Sequence, residues 1–242
     1  MAQFLLEIAG HAAAVTSLFE STPHHFAKYL TDRQPDFSIE ICEADLRFEQ
    51  QDADTEAAEE GFRRRKFPDP FLERAAIQRK FAEHLLRQDI LLAHGSAVAV
   101  DGRGYLFTAR SGTGKSTHTR LWREHFGDRA VMINDDKPFL QLTGEGVLIH
   151  GSPWSGKHGL DSNIRVPLKG ICLLERGAEN VIRQAAPEEI RDLLKGFRPQ
   201  TAEQSETYEQ LLTQLLKKVP LWHMYCNAEQ DAAIIAYTTM SK

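Results

Sequence analysis

One glycine-rich loop, residues 109–116 (ARSGTGKS), constrains the fold of this chain more than any other part of the sequence. Residues 105–109 form an apolar, strand-like run that leads into it. Residues 117–126 after it have helical character and end at Gly127. A strand that enters and a helix that leaves are the context in which such a loop binds phosphate, because backbone N–H groups and the helix N-terminus attract anions. The sequence therefore predicts an α/β core around a phosphate-binding loop.

The loop matches the P-loop pattern except that Ala109 replaces the first glycine. Alanine is tolerated there if its φ stays negative, as at the end of a strand. Lys115 is expected to reach the β- and γ-phosphates of a nucleotide, and the Ser116 hydroxyl to coordinate Mg²⁺. Arg110 is expected to point into solvent. The residues expected to contact the nucleotide are Ser111, Gly112, Thr113, Gly114, Lys115, Ser116 and Thr117.

Two adjacent carboxylates, Asp135 and Asp136, follow the apolar run 131–134. One acid at such a strand end usually holds Mg²⁺, and a second suggests a division of labour. We assign Asp135 as the general base that accepts a hydroxyl proton and Asp136 as a metal ligand, although the two could exchange roles. Neighbouring strand residues point to opposite faces, so both reach one site only if the chain bends, as residues 137–138 (Lys-Pro) allow.

An antiparallel hairpin is predicted on either side of the turn at residues 101–104. We expect Asp101 to pair with Gly104, a register that would place His94 opposite Ser111. From there His94 could contact the γ-phosphate or a second metal ion. An ordinary hydrogen-bonded strand histidine is the alternative.

A second hairpin is predicted around residues 143–146, with Leu142 paired to Val147. This register returns residues 154–158 toward the two carboxylates. Lys157 is then a candidate for stabilising charge on a transferred phosphoryl group, with an exposed loop lysine as the alternative. Three further residues are candidates of lower weight: Trp154, expected in the core rather than stacked on a ligand, and His158 and Arg165, which could contact substrate.

The regions outside this core are less informative. Residues 1–90 are expected to form a small α+β region for acceptor or partner binding, and residues 91–242 the nucleotide-binding domain. Residues 52–66 carry acids and then bases and are expected to be exposed. The remaining expected elements are strands at 4–9, 37–42, 170–174 and 221–226, and helices at 12–30, 71–86, 187–195, 204–218 and from about 228.

Composition excludes several classes of function. Lys and Arg number 29 and Asp and Glu 34, giving a net charge of −5, which disfavours binding to nucleic acid. No segment is long and apolar enough to span a membrane, and the N-terminus does not resemble a signal peptide. Three cysteines far apart in sequence predict reduced thiols in a cytoplasmic protein. The oligomeric state stays open, with a homo-oligomer as one possibility.

Three motifs in this order resemble the catalytic domain of the HPr kinase/phosphorylase family. They are also similar to ATP-dependent phosphoenolpyruvate carboxykinase, which shares that nucleotide-binding core. The motifs are residues 94–97 (HGSA), 111–116 (SGTGKS) and 134–136 (NDD), within about residues 90–176. The resemblance implies a P-loop core with a mixed sheet. It also implies transfer of the γ-phosphoryl group of ATP, with Mg²⁺ or Mn²⁺, to an alcohol such as a serine hydroxyl of a peptide or protein, or a small molecule.

The departures from this family concern the acceptor. Its Glu-x-Arg-Gly-Leu-Gly signature is missing, and residues 151–157 (GSPWSGK) stand in its place. The chain is more similar to HPr-kinase-like proteins found beside peptide-modification genes, some of which phosphorylate a peptide serine. Two alternatives remain at this point, a non-catalytic ATP-binding regulatory module and a carboxykinase-like decarboxylase.

Overall fold

The computed structural model describes residues 1–59 and 61–242, which form two compact units, Met1–His84 and Leu85–Lys242. Both units combine helices with strands, and the larger contains a mixed sheet. The predicted α/β class with a mixed sheet is therefore confirmed. The predicted domain boundary at residue 90 stays a prediction, because compactness alone does not define a domain that folds by itself.

A three-stranded sheet with flanking helices forms the first unit. Strand β2 pairs antiparallel with β1 and parallel with β3, in the order β1-β2-β3. Residues 63–66 are exposed, as predicted for the charged segment, and Glu60 of that segment lies outside the described residues. The elements are β1 (Ala2–Ile8), β2 (His11–Ser17), α1 (Thr22–His25), β3 (Phe37–Glu40), α2 (Glu43–Glu59) and α3 (Asp69–Leu86), the last continuing into the second unit.

The predicted helix at residues 12–30 is wrong. Its first part is strand β2, which a tight turn at Ala9 and Gly10, both with positive φ (53° and 81°), folds back onto β1. The alanine-rich run suggested a helix because alanine has the highest helix propensity. Burial of Ala12, Ala13 and Val15 against neighbouring elements outweighs that preference.

The second unit is built on a sheet in the order β4-β8-β9-β10-β6-β5-β7, in which β12 also pairs with β10, and β11 with β12. The predicted strands at 170–174 and 221–226 and the helices at 187–195 and 204–218 are confirmed within a few residues. The elements are β4 (Ile90–Leu92), β5 (Ser96–Val100), β6 (Arg103–Thr108), α4 (Lys115–Phe126), β7 (Ala130–Asn134), β8 (Phe139–Leu142), β9 (Val147–His150), β10 (Arg165–Arg176), β11 (Val181–Gln184), α5 (Pro187–Leu194), α6 (Ala202–Lys218), β12 (Leu221–Cys226) and α7 (Asp231–Met240). Within residues 1–59 and 61–242, no helix combines the length and the apolar run needed to cross a bilayer.

An aromatic cluster fixes α4, the helix that follows the glycine-rich loop, to the sheet. Trp122 on this helix is fully buried, with its ring centroid 4.8 Å from Tyr105 and 5.2 Å from Phe107 on β6. Its other side meets Tyr237 of α7 at 5.7 Å. Since β6 leads into the loop and α4 leads out of it, this packing holds both ends of the loop in place.

The first predicted hairpin exists, but its predicted register is wrong by two. Val100 pairs with Arg103, not with Tyr105. The cause is a two-residue turn at Asp101 and Gly102, whose φ angles of 50° and 73° suit a tight hairpin. His94 is therefore not opposite Ser111. By contrast, Leu142 pairs with Val147, and the register of the second hairpin is confirmed.

Between β4 and β5 the chain leaves the sheet at Gly95. A Cβ built on Gly95 would lie 2.7 Å from the Phe107 carbonyl oxygen and 2.8 Å from Leu106 Cδ1. Only glycine allows this close approach of the segment to β6. The approach brings the Gly95 N–H to the Asp136 carbonyl oxygen, at 2.9 Å. Gly95 therefore sets the backbone distance between His94 and the carboxylate pair.

We expect Gly95→Ala to destabilise the protein by about 1–3 kcal/mol, since the added methyl group overpacks backbone that cannot retreat. The free energy of unfolding from urea titration measures this loss. Gly144→Ala is the matched control, because a Cβ there meets nothing within 4 Å. An equal effect of both substitutions would contradict the steric explanation.

Candidate functional site

The glycine-rich loop connects the end of β6 to the start of α4, as predicted. Gly112 and Gly114 take positive φ angles of 74° and 124°, and α4 begins at the next residue, Lys115. Ala109 is not among the described residues with a positive φ, so alanine fits at the first position of the loop. The conformation is the strand–loop–helix that the sequence pattern requires.

Arg176, at the end of β10, holds the outer side of the loop. Its Nη2 donates to the Gly112 carbonyl oxygen at 2.6 Å, and its Nε to the Thr113 carbonyl oxygen at 3.4 Å. In a trans peptide the C=O and the following N–H point in opposite directions. The Thr113 carbonyl, turned toward Arg176, therefore directs the Gly114 N–H to the other side of the loop.

Asn134 makes the bend that brings both carboxylates to one place. This last residue of β7 is fully buried, and its Oδ1 accepts hydrogen bonds from the N–H groups of Asp136 (2.7 Å) and Lys137 (2.6 Å). Its Nδ2 donates to the Ser152 carbonyl oxygen at 2.8 Å. The predicted bend is confirmed, and the side chain of Asn134 rather than proline alone enforces it.

The two carboxylates have different surroundings. Asp135 is 7% exposed and accepts a 2.6 Å hydrogen bond at Oδ1 from the hydroxyl of Ser96. The side chain of Asp136 is 38% exposed, and its Oδ1 lies 3.7 Å from His94 Nε2. Burial raises the pKa of Asp136, an effect that Lys137 and Lys115 oppose and that Asp135 reinforces. Asp135 is thus held by a hydrogen bond from Ser96, whereas Asp136 is accessible to an approaching group.

His94 is held as a neutral imidazole. Burial lowers its pKa to about 3, and the positive charges of Lys137 and Lys115 add to this effect. Its contact with Asp136 is therefore not an ion pair, and 3.7 Å is too long for a hydrogen bond. The backbone N–H of His94 donates to the Leu194 carbonyl oxygen at 2.9 Å, which fixes the segment. His94 thus lies beside Asp136, a position that the wrong predicted register did not give; its predicted contact with the γ-phosphate or a second metal ion stays a prediction.

Two lysines complete the charged cluster. Lys115 donates from Nζ to the Ala109 carbonyl oxygen at 3.1 Å, which folds it back over the loop. Burial lowers the pKa of Lys115, Lys137 lowers it further, and Asp136 and Asp135 oppose this. Lys137, which the sequence analysis did not single out, donates from Nζ to the Gly196 carbonyl oxygen at 3.2 Å. The site thus contains two cations, two carboxylates and a neutral imidazole.

The segment after the second hairpin returns to this cluster, as predicted. A Cβ built on Gly156 would lie 3.9 Å from Asp136 Cβ. Lys157 and His158 follow in an exposed turn, and Arg165 is exposed at the start of β10. Their roles stay predictions. Trp154 is 9% exposed with its ring 6.3 Å from that of Phe139, which confirms its place in the core.

The oxygen donors near the loop are of the type that Mg²⁺ takes. Mg²⁺ in phosphate sites takes one or two carboxylates, with phosphate oxygens and water completing the shell. Asp136 offers a carboxylate, and Ser116 in the first turn of α4 offers a hydroxyl oxygen. In the described part of the chain, no group of three or more His, Cys, Asp or Glu residues is arranged to hold a metal by itself. Phosphate oxygens would therefore have to supply part of the shell.

Sequence reasoning gave Ser96 no role, although it lies within the 94–97 motif, and it did not single out Lys137 or Arg176 as site residues. No local signal existed for Arg176, whose loop contacts join positions more than sixty residues apart. Long-range contacts of this kind depend on the strand order, which local patterns do not contain.

Fold and site together define a mixed α/β protein with a glycine-rich strand–loop–helix beside a pair of aspartates. No family model matches the sequence, and no curated protein matches it. Among solved structures, the chain is similar to the Hpr(Ser) kinase/phosphatase from Coxiella burnetii, with a TM-score of 0.36 and 9% sequence identity. The match covers 61% of this chain and 92% of that one. A likeness this distant assigns neither family nor activity.

We expect the His94 ring to stay neutral from pH 8 down to pH 5, as followed by its ring ¹⁵N shifts in NMR. Unfolded histidine takes up a proton near pH 6.5, whereas folded His94 does so only near pH 3. Between about pH 6.5 and pH 3, the unfolded chain therefore binds more protons at this histidine than the folded chain does. Stability then falls as the pH drops, by at most about 1.4 kcal/mol per pH unit for this one group.

Lys137→Met should raise the pKa of His94, because it removes one of the charges that oppose protonation. Lys157→Met, the same change at an exposed turn, should leave it in place. A His94 ring that titrates near pH 6.5 in the wild-type protein would refute the buried, cation-flanked environment.

Proposed function

We propose that this chain is an ATP-dependent kinase that transfers the γ-phosphoryl group to an alcohol. The observation that carries the proposal is that Lys115, from the glycine-rich loop, lies near enough to Asp135 and Asp136, which follow β7, for their charges to oppose the lowering of its pKa by burial. A loop that cradles phosphate needs a lysine at this position. Phosphoryl transfer to an alcohol needs a carboxylate beside it to take the hydroxyl proton. The three motifs that resemble the HPr kinase/phosphorylase family support the same reading.

In this proposal the loop binds the polyphosphate. The backbone N–H groups and side chains of residues 111–117 hold the β- and γ-phosphates, and Lys115 neutralises part of their charge. The negative charges of Asp136 and Asp135 offset part of the free-energy cost of burying the charged Lys115 side chain. Mg²⁺, held by Ser116, Asp136 and phosphate oxygens, would neutralise the charge that develops on the phosphates. His94, neutral beside Asp136, adds no repulsion for a cation there.

Asp135 acts as the general base. It accepts the proton of the acceptor hydroxyl while the acceptor oxygen bonds to the γ-phosphorus. The bond from that phosphorus to the β–γ bridging oxygen breaks, and ADP leaves. Lys137 and, from the exposed turn, Lys157 are the cations that could stabilise the equatorial oxygens. The acceptor is a serine hydroxyl of a peptide or protein, or a small-molecule alcohol.

The raised pKa of Asp136 favours an alternative assignment of the general base and the metal ligand. A base whose pKa lies closer to neutrality transfers a proton more effectively, so Asp136 could be the base and Asp135 the metal ligand. Substitutions at the two positions separate these assignments, since loss of the base lowers the rate at saturating metal, whereas loss of a ligand raises the metal concentration required.

We expect Asp135→Asn to lower transfer from γ-labelled ATP by about 10²–10⁴-fold while the Kd for ATP stays nearly constant. Serine-containing peptides, free serine and polyols form the acceptor panel, and background ATP hydrolysis is the second readout. Asp128→Asn, the same change at an exposed residue in the turn after α4, is the control.

Two results would count against this proposal in different ways. Hydrolysis and transfer by Asp135→Asn at the wild-type rate would remove Asp135 as the base. A wild-type protein that binds ATP tightly yet transfers to no acceptor and hydrolyses nothing would instead favour the non-catalytic ATP-binding module.

Arg176→Met should weaken ATP binding, because the loop carbonyls lose the donors that turn them outward. We expect the Kd to rise about tenfold, the usual consequence of losing charged hydrogen bonds of this kind. Isothermal titration calorimetry measures it. Arg103→Met is the control, since Arg103 is exposed at the far end of β6 from the loop. An unchanged Kd in Arg176→Met would show that the loop keeps its shape without the arginine.

A further inference from the structure

A buried pair of hydroxyl groups lies behind Asp135. Ser96 is 0% exposed and Thr119 is 1% exposed. Ser96 Oγ donates to Asp135 Oδ1 at 2.6 Å, and it lies 2.8 Å from Thr119 Oγ1. These three residues come from β5, α4 and the end of β7, so the contacts join separate elements. None of the roles proposed above uses the two hydroxyls.

The direction of the two hydrogen bonds follows from the donors available. An ionised carboxylate can only accept, so Ser96 must direct its single hydroxyl proton at Asp135. Ser96 then has no proton left for Thr119, and Thr119 must donate to Ser96. Both protons therefore point toward the carboxylate. Hydrogen bonds to an ionised group are stronger than those between neutral groups, so this arrangement holds the carboxylate of Asp135 in one position.

Thr119 lies on α4, the helix that follows the glycine-rich loop. Thr119 Oγ1 lies 3.3 Å from the carbonyl oxygens of both Lys115 and Ser116. These residues open α4, where the proposal above places phosphate and metal. These carbonyls compete with Ser96 for the single proton of Thr119. When Thr119 donates to Ser96, its link to the carboxylate runs through Ser96 alone.

We propose that Ser96 and Thr119 are positioning residues that hold Asp135 Oδ1 and leave Oδ2 for the proton of the acceptor hydroxyl. This inference rests on the proposed phosphoryl transfer. In that step the acceptor O–H bond breaks and its proton bonds to Oδ2, while the bond from the acceptor oxygen to the γ-phosphorus replaces that to the departing ADP oxygen. The hydroxyls transfer no proton themselves; they restrict the carboxylate to one orientation and keep it ready to accept.

The test compares four variants of the full chain: Ser96→Ala, Thr119→Val, Thr119→Ser and Thr108→Val. Thr108 is the matched control, because it is also fully buried and its hydroxyl donates only to the Leu193 carbonyl oxygen, at 2.7 Å. Thermal melting establishes that each variant is folded. The readouts are kcat, the KM for the acceptor and the Kd for ATP.

We expect Ser96→Ala to lower kcat about tenfold, with the KM for the acceptor and the Kd for ATP unchanged. Thr119→Val should do the same to a smaller extent, about threefold in kcat, because it acts through Ser96. Thr119→Ser keeps the hydroxyl and should restore kcat. Thr108→Val should leave kcat in place, since its hydroxyl does not support Asp135.

A folded Ser96→Ala and Thr119→Val with the wild-type kcat would overturn the inference. If Ser96→Ala does not fold, the comparison of Thr119→Val with Thr119→Ser decides in the same way. Should the wild-type protein lack activity, the proposed function fails separately. The orientation of the Asp135 carboxylate in crystal structures of the wild-type protein and the variants then replaces kinetics. A rotated or disordered carboxylate in Ser96→Ala, or in Thr119→Val if Ser96→Ala is unfolded, supports the positioning role, and an unchanged carboxylate overturns it.

Discussion

The side chain of Asn134 is the interaction on which the site depends. It is fully buried and has both an acceptor and a donor in use, so its amide is almost completely satisfied. Its oxygen turns the chain directly after β7, and its nitrogen fixes the returning segment at Ser152. Without that bend, Asp135 and Asp136 would project from opposite faces of the strand. One buried amide therefore determines where two carboxylates and the segment after the second hairpin meet.

Charge balance explains why this cluster is stable before anything binds. Lys115 and Lys137 offset Asp135 and Asp136, and His94 adds no charge because burial and the two lysines keep it neutral. A protonated imidazole would give the cluster a net positive charge in a partly buried place, at a cost in desolvation. An incoming polyphosphate, by contrast, would pair with the lysines and leave the carboxylates for metal and proton. The unliganded arrangement thus resembles the one that the proposed reaction requires.

Local patterns predicted the elements of this fold better than their pairing. The register at Leu142–Val147 followed from turn length, whereas Val100 pairs with Arg103 because Asp101 and Gly102 both adopt positive φ. An Asp-Gly pair is the usual signal of a two-residue turn with these angles, so the observed register was available from the sequence, and the prediction placed the turn over four residues instead of two. The candidate site could be predicted through its glycines, lysine and paired acids. The residues that orient them, including Arg176, come from distant strands and left no local pattern.

The neighbourhood of Asp136 also indicates where acceptor selection would arise. The returning segment is buried through Ser155, whose hydroxyl donates to Asp161 Oδ1 at 2.7 Å, and it becomes exposed only at residues 156–159. The buried part is tied to β7 by Asn134 Nδ2, which donates to the Ser152 carbonyl oxygen, and the chain beyond the turn by the Ser162 N–H, which donates to the Ile133 carbonyl oxygen at 3.1 Å. In the proposed reaction, the buried residues would keep the catalytic groups in place, whereas the exposed turn could vary in its contacts with the acceptor. Residues 151–157 (GSPWSGK) form this buried part and the start of the turn. Substitutions within residues 156–159 would therefore change the KM for an acceptor, whereas substitutions within the buried residues 151–155 would change kcat.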